Sequence, residues 1–481
     1  MNQLSQIRAE LRLLFRDYAF GGLILLLLFL MTIATWNTHR HLLAKQLELE
    51  EQSALVQQND QELIAQIDSL QQGLATYEGQ YTLPTNGVRL TYNNHRIAWM
   101  PTREYALLAI GQGDLFSDYK KIVLYFNDSY ERKSQELASP VEQFFGRLDV
   151  AFVWTYLLPL IILLCSFNTL SVERETGRLR LIAAQPIQLS KWLMIKIGLR
   201  FGILFSTIIL FTWFLLLYFG VPIFKDFAGF AQLSLILLLY ISFWFFLSFL
   251  VNQLGFNSGR SLILLMNLWV LLVFLIPSAI NQLGRELHPL PSRLAIINHH
   301  QQVYNDIEGQ LEEEMEELFR LHPDWASTDP VTKDMSNSTG WNINFLAKQY
   351  IAQLKHQPIA QAYEDKVDER NHWLSQFRLL SPAMIFQSAL TDLAGTSTRY
   401  YRSFLQQSQR YAHEYRQYVF QGLFTNHAFT GDEIQNLPSF KFDRQALASL
   451  VGVNILGLSI YLVLIAIAIR YLSRRRSTVV S

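Results

Sequence analysis

Six long stretches of this sequence contain no Asp, Glu, Lys or Arg, and they constrain the fold more than any other feature. They are 18–36, 150–172, 201–224, 227–259, 261–284 and 445–469. A helix needs roughly 20 apolar residues to cross about 30 Å of hydrocarbon. Only 17% of the 481 residues are charged, whereas a soluble chain usually carries about 25%. We therefore predict a polytopic α-helical membrane protein with six transmembrane helices.

The charges between these stretches are distributed unequally. Residues 1–17, 173–200, Arg260 and 470–481 together hold 14 basic and 4 acidic residues, whereas 37–149 and 285–444 each carry a net charge of −5. Because short basic flanks stay in the cytoplasm, both termini are predicted to be cytoplasmic. The two acidic segments are then extracytoplasmic. The formal net charge of zero disfavours nucleic acid as a partner.

These boundaries divide the chain into eleven predicted parts. They are an elbow helix (1–17), the six spans (18–36, 150–172, 201–224, 231–251, 261–284 and 445–469), a cytoplasmic loop (173–200), two extracytoplasmic domains (37–149 and 285–444) and a basic tail (470–481).

Sequence patterns also predict the internal structure of the two large segments. The first is expected to be a helical stalk that Gly73 ends, followed by a small mixed α/β part with strands at 88–92, 96–100 and 121–126. The second is expected to be mainly helical, at 301–321, 341–354, 359–380 and 398–424, with Pro358 separating two of these helices. Ser381-Pro382 marks a further break.

The sequence lacks the motifs of common catalytic sites. It has no G-x-x-x-x-G-K-[ST] phosphate loop, no G-x-S-x-G and no H-E-x-x-H. Adjacent helical residues point about 100° apart, so His299-His300 makes a poor metal site, although Asp306 could assist. We therefore expect no catalytic residue, no metal and no cofactor within the chain, and no enzyme activity of its own. The uncharged spans favour an amphipathic, lipid-like substrate over a small ion.

The loop after the second stretch has the most distinctive pattern in the chain. Residues 173–186 read E-R-E-x-G-x-L-x-L-I-x-A-x-P. Gly177 permits a sharp turn, a short helix with one apolar side follows, and Pro186 ends it. Such a helix could dock in a groove on a partner, or it could lie on the bilayer surface as an ordinary amphipathic loop helix.

This loop resembles the coupling helix of ABC-2-type transporter permeases. The family pattern E-x-E-x-G-x-L-x-x-L-x-x-x-P is matched, together with the intervening Arg174, by Glu173, Glu175, Gly177, Leu179, Ile182 and Pro186. The amphipathic helix 4–15 is similar to the family's elbow helix. The resemblance implies two copies of a separate ABC ATPase, which binds ATP and Mg, and a second permease chain, identical or homologous. It also implies a bacterial inner membrane as the location and movement of a substrate, as an exporter, across that membrane.

A narrower resemblance extends over most of the chain. One uncharacterised branch of these permeases carries large extracytoplasmic insertions after spans 1 and 5. Its members often show Pro-Ser-Arg after span 5, found here as Pro291, Ser292 and Arg293, and D-x-A-G-T, found here with Asp392, Gly395 and Thr396. The branch has no common known substrate.

Three functions remain open on the sequence alone. The first is the permease of an ABC transporter. The second is ATP-driven mechanotransmission to a periplasmic partner without transport, which the stalk motivates. The third is a membrane sensor or scaffold that has no ATPase partner.

Overall fold

Six helices are long and apolar enough to cross a membrane, as expected of a helical multi-pass membrane protein. In this computed structural model they are, as spans 1–6, Tyr18–Gln71, Val150–Glu175, Lys191–Tyr218, Phe227–Leu254, Ser258–Leu287 and Val451–Leu472. The structure describes residues 3–77, 83–87, 89–90, 95–111, 118–124, 148–183, 189–222, 224, 226–326, 338–444 and 451–477. A separate amphipathic helix, Gln3–Arg16, precedes span 1.

Spans 2 and 4 form the centre of the bundle. In their most apolar windows, 67% of the residues of span 2 and 61% of those of span 4 are buried, against 17% to 28% in the other four spans. Tyr240 and Trp244 of span 4 and Trp154 of span 2 are completely buried. The outer spans therefore leave broad apolar faces, which suit a hydrocarbon environment.

Span 2 is not a continuous α-helix. A π-helical turn, Val153–Leu157, follows Val150–Phe152, and the α-helix Leu158–Ser166 is separated by turns from Ser171–Glu175. The amide of Asn252 in span 4 compensates for this break: Asn252 Nδ2 donates to Ser166 O at 2.9 Å, and Leu170 N donates to Asn252 Oδ1 at 3.1 Å. Inside a membrane, backbone N–H and C=O groups that lack a helical hydrogen-bond partner need such a side-chain partner.

Span 1 continues beyond the bundle as a stalk, as the sequence predicts. The helix Tyr18–Gln71 begins after Asp17, which caps its first turn, and ends next to Gly73 in a left-handed conformation (φ 68°). Its far end enters a second hydrophobic core through Leu63 and Ile67. We call the part of the chain around this second core the large domain, and the end of the bundle nearest to it the domain side. The opposite end, with residues 173–200, is the loop side.

The large domain is mainly helical. Its helices are Arg293–Glu308, Leu311–Leu321, Ser338–Phe377, Thr398–Phe424 and Gly431–Gln435. Trp325 lies at the centre of its core, stacked on His322 at 4.0 Å and on Phe424 at 5.4 Å between ring centroids. The helix predicted at 398–424 is confirmed, whereas 301–321 is divided at Gly309 between two helices.

The Asn93-Asn94-His95 turn predicts a hairpin between the strands at 88–92 and 96–100, and this prediction is wrong. Strand β1 (Arg96–Trp99) pairs antiparallel with β2 (Tyr119–Ile122), in register Arg96 to Ile122. It does not form a hairpin with 88–92, of which Arg89 and Leu90 lie in a helical turn and the rest lie outside the described residues. Arg96 forms a 2.6 Å ion pair with Asp60 of the stalk, which ties this sheet to the helix.

The predicted separation at Pro358 is also wrong, because Ser338–Phe377 is one helix with Pro358 inside it. A proline inside a helix removes one backbone hydrogen bond and costs about 3 kcal/mol. Burial of residues in this helix offsets the cost, since Tyr350, Ile351 and His356 are buried in the large domain. Tertiary packing here overrides local preference.

Span 3 also begins earlier than the uncharged stretch suggests. Its helix is Leu189–Tyr218, whereas the stretch begins at residue 201. Lys196 and Arg200 therefore lie inside the helix, where acidic residues of other elements pair with them. Paired charges of this kind interrupt an uncharged run without ending the helix.

Two pieces of the large segments pack within the transmembrane core, contrary to the expectation that both segments lie wholly outside it. One is the helix Pro382–Ala394, which we call the inserted helix; Phe386 stacks on Tyr240 of span 4 at 4.0 Å between ring centroids. The other is the segment 104–111, of which residues 105–110 are buried; its Tyr105 donates to Asp226 O, before span 4, at 2.9 Å. The predicted 285–444 segment thus includes a helix that belongs to the bundle core.

Replacement of Asn252 tests whether its side-chain amide stabilises the break in span 2. Asn252→Ala leaves Leu170 N–H without its side-chain acceptor and removes one of two side-chain donors to Ser166 O, so we expect a loss of about 1–3 kcal/mol and a lower thermal midpoint. Asn281→Ala is the matched control, because the Asn281 amide donates to Pro277 O within its own helix. Equal midpoints for the two variants in detergent would contradict the role assigned to Asn252.

Candidate functional site

The loop side of the bundle contains a polar cluster around the E-R-E triplet, residues 173–175. Span 2 ends at Glu175, and Glu173 in its last turn forms a 2.8 Å ion pair with Lys196 of span 3. Both side chains are mostly buried, at 14% and 12% exposure, so solvent screens the pair less than a surface pair. Glu173 therefore fixes the exit of span 2 to the first turns of span 3.

Glu175 makes a different connection, to span 5. Its Oε1 accepts from Ser258 N at 2.7 Å, and its Oε2 accepts from Ser258 Oγ at 2.9 Å. Ser258 is the first residue of the span 5 helix, whose free N–H groups favour a carboxylate. Asn257 caps the same helix by accepting from Arg260 N at 2.9 Å.

Arg174 completes the connections of the E-R-E triplet. Its guanidinium donates to Gly255 O, at the end of span 4, where Gly255 adopts a left-handed conformation (φ 80°). Three consecutive residues thus reach three different places: span 3, the end of span 4 and the start of span 5. The start of the loop that follows Glu175 is therefore bonded to spans 3, 4 and 5.

Gly177 is where the chain turns out of the bundle. Its φ of 74° is one that residues with a side chain rarely adopt, although a Cβ there would meet no atom within 4 Å. The helix Arg178–Ala183 follows directly, as the sequence predicts, and we call it the loop helix. Leu179 packs against the bundle, whereas Leu181 is 71% exposed. Ile182 lies on this helix by its backbone, and Pro186 lies outside the described residues.

The helix Gln3–Arg16 joins the same cluster. Glu10, only 6% exposed, lies 3.5 Å from Lys196 Nζ and 4.0 Å from Arg200 Nη2. Arg200 also donates to Thr169 Oγ1 at 2.7 Å, in the broken part of span 2. The sequence analysis did not select four members of this cluster: Glu10, Lys196, Arg200 and Ser258. Ser258 could have been found, because the pair Asn257-Ser258 after Gly255 is a typical start of a helix.

The branch-motif residues lie elsewhere, on the domain side. Pro291 and Ser292 are exposed and immediately precede the helix Arg293–Glu308. Asp392 lies in the last turn of the inserted helix, and Gly395 ends it in a left-handed conformation (φ 69°). Thr396 Oγ1 donates to Ala109 O at 2.9 Å. The D-x-A-G-T residues therefore join the two pieces that enter the bundle, and they do not meet the E-R-E triplet.

Gly395 has a second structural reason to be glycine. A Cβ there would lie 2.4 Å from Cδ of Arg103, whose aliphatic part passes directly over the backbone. The guanidinium of Arg103 then donates to Asp392 O at 3.4 Å and lies 5.4 Å above the ring of Tyr400.

His299 and His300 meet a third histidine, His356, that no sequence pattern indicated. His299 Nδ1 lies 3.3 Å from His356 Nδ1, and the rings of His300 and His356 are 5.1 Å apart. Burial lowers the pKa of His356, and the charges of His300 and His299 lower it further. Within the described ranges, no three His, Cys, Asp or Glu side chains stand close enough to hold a metal ion.

Comparisons with known proteins identify one region only. Residues 293–443 match a family model described as a domain of unknown function, DUF3526. No curated protein and no solved structure matches the chain. The matched region covers most of the large domain and the inserted helix, and it includes none of the six spans.

Removal of the Glu175 carboxylate should release the loop helix. A spin label on Leu181→Cys reports its mobility, because residue 181 is exposed while Cys165 is buried. We expect Glu175→Ala to sharpen the spectrum, since the carboxylate no longer holds Ser258. Glu316→Ala in the large domain serves as the control. A spectrum that both variants leave unchanged would show that Glu175 does not hold the loop.

The histidine cluster predicts a pH dependence of stability. A folded pKa of His356 below the ordinary value of 6.5 means that the unfolded chain takes up the proton first. Stability is therefore highest above pH 6.5 and decreases as the pH falls below it. His356→Leu should flatten this dependence in thermal unfolding, whereas the exposed His372→Leu should keep it. The same slope in both variants would contradict the assignment.

Proposed function

We propose that this chain is the transmembrane permease subunit of an ABC-2-type transporter, with the loop 173–200 as its contact to a separate ATPase. One observation carries the proposal: the loop is bonded to several spans, and the helix within it exposes an apolar side chain. The E-R-E triplet fastens the loop to spans 3, 4 and 5, and Leu181 projects from the loop helix at 71% exposure.

The exposed leucine and the bonds of the E-R-E triplet have different roles in coupling the ATPase to the spans. An exposed leucine on a short helix can enter a groove on a partner, as helix-in-groove recognition requires. Fixed connections then transmit movement of that partner to several helices at once. A loop that only rested on the bilayer surface would need an apolar side but not the bonds to Ser258 and Gly255.

The charge distribution supports the orientation that this function needs. The loop side carries the basic flanks 1–17, 173–200 and 470–481, and such flanks face the cytoplasm. Both termini are then cytoplasmic, and the large domain is extracytoplasmic, on the far side of a bacterial inner membrane. ATP and Mg bind to the partner ATPase, and no nucleotide site is required here.

The proposed assembly contains two ATPase copies and two permease chains, identical or homologous. Closure of the ATPases on ATP pushes on the two loop helices and rearranges the spans. An unidentified substrate then moves outward, so the complex acts as an exporter. The chain itself contributes no catalytic residue.

A second candidate is mechanotransmission to a periplasmic partner without transport. One observation favours it: the single helix Tyr18–Gln71 extends from the bundle into the core of the large domain through Leu63 and Ile67. A rigid helix of this kind could carry movement outward. Movement of a labelled substrate by the reconstituted complex would exclude this candidate.

Association with an ATPase is the direct test of the proposal. The full chain is co-expressed with the ATPase encoded nearest to its gene and purified by a tag on the permease. We expect Leu181→Asp to abolish co-purification, because it places a charge on the exposed side of the loop helix. Leu321→Asp, at a 60% exposed leucine of the large domain, is the matched control.

Two further variants test how the loop is joined to the spans, rather than the contact between the loop helix and the ATPase. Gly177→Pro cannot adopt the observed φ of 74°, and Glu175→Lys reverses the charge that faces the start of span 5. Both should lower the ATPase activity that depends on the permease. If both variants retain association and activity, the assignment of this loop is wrong.

A further inference from the structure

The helix Tyr18–Gln71 presents an apolar stripe on the side that is turned away from the bundle. On one side of this helix Leu27, Met31 and Ala34 are buried in the bundle core. At about 3.6 residues per turn, the opposite side carries six large apolar residues that are 40–64% exposed. We call these six residues the seam: Leu26, Phe29, Ile33, Trp36, Leu43 and Leu47.

The spacing of the seam is that of a coiled coil. Together with Arg40, its positions are 26, 29, 33, 36, 40, 43 and 47, so the steps are alternately three and four residues. A period of about 3.5 residues keeps one stripe against a partner helix along the whole length of two supercoiled helices. Contact with lipid alone requires apolar residues but no such period.

The seam also extends beyond the bilayer. Trp36 ends the uncharged stretch and marks the membrane interface. At a rise of about 1.5 Å per residue, Leu43 and Leu47 lie roughly 10 and 16 Å beyond Trp36. The headgroup layer on one side of a bilayer is about 5–8 Å thick. Lipid chains therefore cannot cover Leu47, which is 64% exposed, and a protein partner is needed there.

Span 1 of a second copy fits both parts of the seam. The partner must be a helix that crosses the bilayer beside Leu26 and continues for about three turns beyond Trp36. The span 1 helix has 54 residues, whereas the other five candidate spans in the described part of the chain have 22 to 30. All copies insert in the same orientation, so two such helices are parallel. Two-fold symmetry then places each seam residue opposite its own counterpart.

Two charged residues set the register and the end of this pairing. Arg40 lies about 6 Å beyond Trp36, at the level of the headgroups, whose phosphates can pair with its guanidinium. A single polar residue at such a position costs stability but specifies the register of two parallel helices. Glu50 follows Leu47 at the next step of three residues, where two like charges would repel each other. The two stalks therefore separate after Leu47.

We propose that two copies of this chain pair through the seam, as a parallel two-stranded coiled coil that begins in the bilayer at Leu26 and ends at Leu47. This deepens the proposed function, on which it rests for the presence of a second permease chain, and it makes that chain identical. The contact includes no residue of the loop 173–200. Pairing and ATPase association can therefore be tested separately.

Cysteine cross-linking of the full chain tests the seam, in membranes from cells that express it without an ATPase. Leu43→Cys and Leu47→Cys each place a thiol opposite its own copy, within reach of a disulfide. We expect a covalent dimer from each of them after mild oxidation. Gln46→Cys is the matched control, because residue 46 is exposed at the same level but points about 100° away from Leu47. The buried Cys165 leaves only the background of the wild type.

A second pair of variants measures the pairing without a cross-link. Leu47→Asp places two carboxylates opposite each other and should weaken dimerisation of the purified chain about tenfold, as measured by native mass spectrometry over a concentration series. Gln46→Asp adds the same charge outside the seam and should dimerise like the wild type.

Three results would overturn the proposal: no covalent dimer from either seam variant, equal cross-linking by Leu47→Cys and Gln46→Cys, or a cross-linked product whose mass is not twice that of the chain. The last result would show that a different protein covers the seam. Because no ATPase is present, each of these results counts against the seam and leaves the contact of the loop helix with an ATPase unaffected.

Discussion

The amide of Asn252 binds the backbone of span 2 at the break in that helix. Span 2 loses its regular backbone bonds between Ser166 and Ser171, in a region where water is scarce and an unpaired N–H or C=O costs several kcal/mol. Asn252 donates to Ser166 O and accepts from Leu170 N, and Arg200 donates to Thr169. The direction in which span 2 leaves the bundle follows from these bonds, and with it the position of the E-R-E triplet.

The two ends of the molecule are connected through span 4. At the loop side, Asn252 binds the break in span 2, and Gly255 O accepts from Arg174. In the middle, Tyr240 stacks on Phe386 of the inserted helix. At the domain side, Asp226, whose side chain caps the helix at Gly229 N, accepts from Tyr105 through its carbonyl. A single uninterrupted helix, Phe227–Leu254, therefore reaches from the E-R-E triplet to the segment 104–111.

Much of this architecture could be predicted from the sequence. Uncharged runs locate the six spans, the helically spaced leucines locate the stalk, and Gly177 and Gly73 mark turns that the structure places at positive φ. These features are local, since a window of about 20 residues contains the whole signal. The E-R-E triplet could likewise be selected, because two carboxylates at the exit of a span are unusual.

The partners of those residues could not be predicted, because they lie far away along the chain. Glu175 binds Ser258, and Arg103 crosses Gly395, through contacts that exist only after the helices have packed. The same applies to the inserted helix: 13 residues are too short to span a bilayer, so a hydropathy search assigns them to the large segment. Their apolar side faces Tyr240 because Ser381 Oγ, which caps the helix, also donates to Leu272 O in the π-helical turn of span 5. That bond fixes the start of the inserted helix against the bundle, and Gly395, at the other end of the helix, lies against the aliphatic part of Arg103.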